Sequence, residues 1–117
     1  MKLAFAAVAI AWATILVGLT LAVRYARGLS VPKALLWLHP LLAVITVACL
    51  WTAVALWSGK ADYFFNSGTF VVSLAFVAGG LLYAVRKWGG RPPLIVTGMH
   101  GAVAILGSVL LIVGLVG

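Results

Sequence analysis

Apolar residues in this chain gather into four long runs separated by short polar stretches, at about 3–23, 34–57, 64–85 and 94–116. The third run is strongest from Thr69 onward, and Phe64 and Phe65 extend it. A rise of ~1.5 Å per helical residue lets about 20 residues cross a hydrocarbon layer of ~30 Å, with a working range of ~17–25. All four runs meet that length. Lipid offers no partner for free backbone N–H and C=O groups, so spans of this length are expected to be helical. The first run has the look of a secretory signal, but its apolar core exceeds the ~7–15 residues of a signal h-region. Arg24 and Arg27 also follow it as a stop-transfer flank. It is expected to be a span.

Composition removes the alternatives. Of the 117 residues 66% are hydrophobic and 8% charged, with a mean hydropathy of +1.28. A soluble domain carries about 25% charged residues, so this chain lacks the polar surface for a water-soluble globule. A disordered chain is poor in apolar residues, which excludes that class too. The net charge of +7 is held in the connections and reads as topology and headgroup contact, not as a nucleic-acid surface. Arg24, Arg27 and Lys33 flank the first connection and Arg86, Lys87 and Arg91 the third, against Lys2 and Lys60 on the other side, where Asp62 offsets Lys60. The positive-inside rule then predicts an all-α, up-down, integral-membrane four-helix bundle with both termini on the non-cytoplasmic side. The cytoplasmic (inner) membrane of a bacterium is its expected location. Trp57, Tyr63, Phe64 and Phe65 on one side, with Tyr25, Tyr83 and Trp88 on the other, are expected as interfacial belts. Cys49 stands alone, which excludes an intrachain disulfide and a cysteine-based cluster.

The two halves read alike. A shift of 61 positions places Gly18 on Gly79, Gly28 on Gly89, Pro32 on Pro93, His39 on His100 and Ala43 on Ala104. Identity is no higher than so biased a composition gives, yet each half runs span, basic turn, proline, then a span with histidine seven residues on. This predicts two hairpin repeats about an axis along the membrane normal. Pro32, Pro92 and Pro93 suit helix starts, where a missing N–H costs nothing. Pro40 lies inside the second span and is expected to free the carbonyl of Leu36.

His39 and His100 are the two ionisable groups at depth, and such groups are costly in a span. Each stands seven residues past its proline, roughly 10 Å along the helix, so the two share one level. Imidazoles opposed at one level of a bundle suit bis-histidine ligation of a haem iron, and ligation removes the cost of a bare polar ring in hydrocarbon. Ala43, Ala104 and Gly107 lie on the histidine faces and would make room for the flat macrocycle, though small residues also simply let helices pack closely. Among the basic residues, Lys33 and Arg91 are nearest the starts of the histidine-bearing helices and are the first candidates to pair with haem propionates.

Four spans with Leu38-His39-Pro40 on the second and Met99-His100-Gly101 on the fourth resemble the transmembrane b-type cytochromes. The resemblance is architectural and covers the whole chain. It implies haem b as cofactor and single-electron transfer, with quinol or a soluble redox protein as partner. Larger members often use four histidines for two haems; two histidines here imply one haem per chain, with partner chains, and hence an oligomer, needed for a longer electron path.

Three other classes compete. A small proton-coupled exporter needs an intramembrane carboxylate, and the one acid, Asp62, is expected in a connection. A soft-metal permease could use His39, His100, Met99 and Cys49, but Cys49 lies roughly 15 Å from His39 along one helix and Met99 points about 100° away from His100. A non-catalytic accessory or assembly subunit of a larger membrane complex would hold its histidines in interhelical hydrogen bonds. No phosphate loop, nucleophile elbow or carboxylate pair is present, and Gly89-Gly90 reads as a turn. An electron-transfer role is favoured over an enzyme with its own substrate.

Overall fold

The computed structural model describes residues 2–57 and 63–117. The expectations for Lys60 and Asp62 lie outside the described residues. Four helices account for nearly all the rest: α1 Lys2–Ala26, α2 Lys33–Leu56, α3 Tyr63–Lys87 and α4 Leu94–Val116. Each has 23 to 25 residues, a mean hydropathy of 2.0 to 2.3, and enough length to cross a membrane. Their outer faces carry large exposed apolar side chains, among them Phe5, Leu16, Trp37, Leu41, Phe70 and Ile95. Such a surface is stable in lipid and not in water. The chain is a membrane-embedded, all-helical protein.

Local chemistry sets the helix ends, and it does so twice in the same way. Gly28 (φ 67°) and Gly89 (φ 84°) take the left-handed conformation that favours glycine. Around them the Gly28 and Leu29 amides donate to the Tyr25 and Arg24 carbonyls, and the Gly89 and Gly90 amides to those of Arg86 and Val85. Both are Schellman closures, which satisfy carbonyls that a helix end would leave free. Pro32 and Pro93 then precede α2 and α4 as N-cap residues with φ of −58° and −59°. Helix α2 continues unbroken through Pro40.

The helices pack in a ring in which α1 and α3 each touch both α2 and α4, leaving α2 and α4 diagonal to one another. The two connections at the basic end, 27–32 and 88–93, are tied together where the Tyr25 hydroxyl donates to the Pro92 carbonyl at 2.7 Å. Buried positions repeat as well. Ala4, Ala7, Val8, Ala11 and Thr14 of α1 recur 61 positions later as Phe65, Gly68, Thr69, Val72 and Ala75 of α3. Thr46, Leu50 and Ala53 of α2 recur as Gly107, Leu111 and Gly114 of α4.

Residue sizes are traded within that shared frame. Where the first hairpin has Ala4 and Ala53, the second has Phe65 and Gly114, and a Cβ on Gly114 would lie 2.7 Å from the Phe65 Cα. Phe65 is therefore a core residue with no exposed surface, not a member of an interfacial belt; it packs edge-on against Trp57 at 5.4 Å. Buried hydroxyls bond back to their own helices, Thr14 to Ile10, Thr46 to Leu42 and Thr69 to Phe65. The Thr14 and Thr46 hydroxyls also lie 3.2 Å apart, so one can donate to the other in place of its own helix carbonyl, an interhelical link of about 0.6 kcal/mol in a membrane.

All of these buried residues lie in one half of the bundle. Between positions 15 and 45, and again between 76 and 106, no residue is fully buried. The basic half is open-packed and the opposite half is dense. Replacing Gly114 with valine should therefore push α3 from α4 and cost about 1–3 kcal/mol, while Gly98→Val, where a Cβ meets nothing within 4 Å, should cost far less. Thermal unfolding in detergent, followed by circular dichroism, checks the difference.

Candidate functional site

The open half holds both histidines. His39 of α2 and His100 of α4 come from diagonal helices, and their rings meet edge to face with centroids 6.3 Å apart and planes at 86°. Each ring is half-buried. Among the described residues these are the two imidazoles, and they converge.

A small device on the partner helix places each ring. In a helix, a side chain at position i+4 covers the turn that holds the carbonyl of residue i. Gly18 has no side chain, so the Thr14 carbonyl is uncovered, and it accepts a hydrogen bond from His39 Nδ1 at 3.1 Å. A Cβ on Gly18 would sit 2.7 Å from His39 Cε1, too close for the ring to stay. The second hairpin repeats the arrangement: a Cβ on Gly79 would sit 2.8 Å from His100 Cε1. His100 faces the carbonyl of Ala75, the repeat equivalent of Thr14, yet its buried Nδ1 completes no hydrogen bond.

The Nδ1–H bond fixes the tautomer of His39 and leaves its Nε2 lone pair bare. Metal–nitrogen bonds of about 2 Å, with about 1.1 Å from nitrogen to ring centre, put two imidazoles on opposite sides of one ion about 6 Å apart. The observed separation fits. Among the described residues no group of three or more His, Cys, Asp or Glu side chains comes together, so a bare ion there would have two protein ligands. A macrocycle that brings its own four nitrogens needs only those two.

The remaining predicted residues fall in different places. Ala43 and Ala104 lie one turn beyond the histidines and are half-buried. Gly107 is buried against α3, where its missing Cβ would meet Val72 Cγ2 at 2.8 Å, so α3 already occupies that face. Lys33 is the exposed first residue of α2. Arg91 stands beside Tyr25, its guanidinium carbon 5.8 Å from the ring centre. It also lines a cavity of about 310 Å³ between the two connections, together with Tyr25, Ser30 and Arg86. Met99 is exposed, and Cys49 packs against the dense core away from the histidines.

The positioning roles of Gly18, Gly79 and the two carbonyls, and the place of Arg86 and Tyr25 in the cavity wall, are additions from the structure. The repeat had marked the glycines as a pair, but a spacing does not show which side chain a glycine admits. No protein-family model matches the chain, and searches of curated proteins and of solved structures give no match.

In ¹⁵N spectra of histidine-labelled protein, His39 should show the Nδ1–H tautomer with an unprotonated Nε2. Gly18→Val should abolish that signature by displacing the ring, whereas Gly80→Val, where a Cβ meets nothing within 4 Å, should keep it.

Proposed function

We propose that the chain is a membrane haem b protein, with one haem held between His39 and His100, that carries single electrons within the membrane. The observation that supports this best is the pair of imidazoles 6.3 Å apart inside the one half of the bundle whose interior side chains are not fully buried. A haem bound there supplies an iron centre that gains and loses one electron. The protein's own residues do the remaining work. His39 and His100 hold and orient the group, and the Thr14 carbonyl fixes the His39 ring by taking its Nδ1 proton in a hydrogen bond. Gly18 and Gly79 keep the ring positions free, and the apolar walls of the open half exclude water. Lys33 and Arg91 add positive potential at the end toward which the haem carboxylates would lie.

In this reading the bundle is up-down, with the connections at the basic end facing the cytoplasm and both termini facing away from it. Its setting is a bacterial cytoplasmic membrane, where quinol or a redox protein exchanges the electron. Reporter fusions at either terminus should then be active only on the non-cytoplasmic side.

Membranes expressing the chain should show a Soret band and a sharp α band on reduction. His39→Ala and His100→Ala should each abolish the low-spin spectrum. Gly18→Val and Gly79→Val, which act through ring placement, should weaken haem affinity roughly 10–100-fold. A colourless preparation that added haem does not reconstitute overturns the proposal and favours a non-catalytic accessory subunit.

A further inference from the structure

One of the places where the two hairpins differ in character is a corner of the membrane-facing surface. In the second hairpin an apolar groove of about 210 Å³ runs between α3 and α4, walled by Leu81, Leu82, Val85, Pro92 and Val96. The cavity walled by Arg86 and Arg91 adjoins it, with Pro92 common to both. In the first hairpin the position of Val85 is taken by Arg24 and that of Leu81 by Thr20. Arg24 folds over its own connection, its Nε–H donating to the Ser30 carbonyl at 2.9 Å. The positions of Arg86 and Arg91 are taken there by Tyr25 and Ser30. Equivalent positions thus carry Arg24 and Thr20 in one copy and Val85 and Leu81 beside a groove in the other, while Tyr25 and Ser30 share the wall of the arginine cavity with Arg86 and Arg91.

We propose that this corner binds one anionic phospholipid, its phosphate between Arg86 and Arg91 and one acyl chain along the groove past Val85 and Val96. The chemistry of each part matches. Guanidiniums pair with phosphate oxygens by directed, charge-assisted hydrogen bonds. Basic pockets at a helical membrane surface select anionic headgroups, and an acyl chain adds favourable contact for each methylene it buries. The exposed apolar side chains of Leu81 and Val85 give the chain a surface continuous with the bilayer. No Asp or Glu is present among the described residues, so none of their side chains supplies an anion to Arg86 and Arg91. The site shares Arg91 with the haem reading but does not require a bound haem.

The test is native mass spectrometry of the full chain in neutral detergent, with added phosphatidylglycerol or phosphatidylcholine of matched acyl chains. Wild type should retain one phosphatidylglycerol in preference to phosphatidylcholine. The double variant R86Q/R91Q should lose that retention by at least about tenfold. V85R should lose it too, although it adds a positive charge, because the new side chain fills the groove. K87Q removes a neighbouring charge that does not line the cavity and should retain the lipid. Should V85R lose its helical circular dichroism, R86Q/R91Q against K87Q decides alone. Equal binding of both lipids, full retention in V85R or R86Q/R91Q, equal loss in K87Q, or displacement by inorganic phosphate overturns the proposal. So does loss of haem absorbance in R86Q/R91Q with lipid retention unchanged, which would assign the cavity to the haem carboxylates.

Discussion

A polar ring inside hydrocarbon must find partners for its nitrogens, and in this protein that demand falls on two imidazoles. Their neighbours offer very little. His39 Nδ1 takes the Thr14 carbonyl, a group that already accepts within its own helix and has a second lone pair to give. His100 Nδ1 faces Ala75 without closing a bond. The glycines beneath the rings exist for this contact, since any side chain at position 18 or 79 would occupy the space of an imidazole. What is left over, two imidazoles meeting edge to face with centroids 6.3 Å apart, is the site.

That leftover capacity is matched by how the apolar mass is distributed. Phe65, Leu50 and Leu111 are fully buried in the dense half, and Gly68, Gly107 and Gly114 let α3 and α4 approach until backbone meets side chain. Small-residue contacts of this kind drive helix association in lipid, where hydrophobic transfer gives no net gain between helices. The fully buried contacts lie in this dense half, while the basic half, tied at its connections by the Tyr25–Pro92 hydrogen bond, packs more loosely around the histidines.

The repeat accounts for the paired placement of the two histidines, and the surface does not follow it. Interior positions repeat at one register, because both hairpins must present small or complementary residues to the same shared axis. Where one copy has Ala4 with Ala53 the other has Phe65 with Gly114, a larger side chain on α3 admitted by the missing methyl on α4. Outward positions carry no such constraint, so Arg24 and Val85 can occupy equivalent places with opposite character. One copy carries an arginine bonded to its own connection there and the other an apolar groove.

The sequence alone determined four membrane-length helices, the glycine and proline punctuation of the turns, and the pairing of Gly18 with Gly79 and of His39 with His100 at equivalent positions. Those features follow from local physics: apolar length against bilayer thickness, the backbone freedom of glycine, the missing amide of proline, and a fixed repeat. Tertiary structure alone decided that the two histidine helices are diagonal with their rings in contact, that Phe65 is core, that α3 covers Gly107, and that one half of the bundle is dense. Each of those depends on which face of a helix meets which neighbour. In a chain hydrophobic on all sides the apolar pattern carries almost no record of facing, because lipid and protein interior select the same residues.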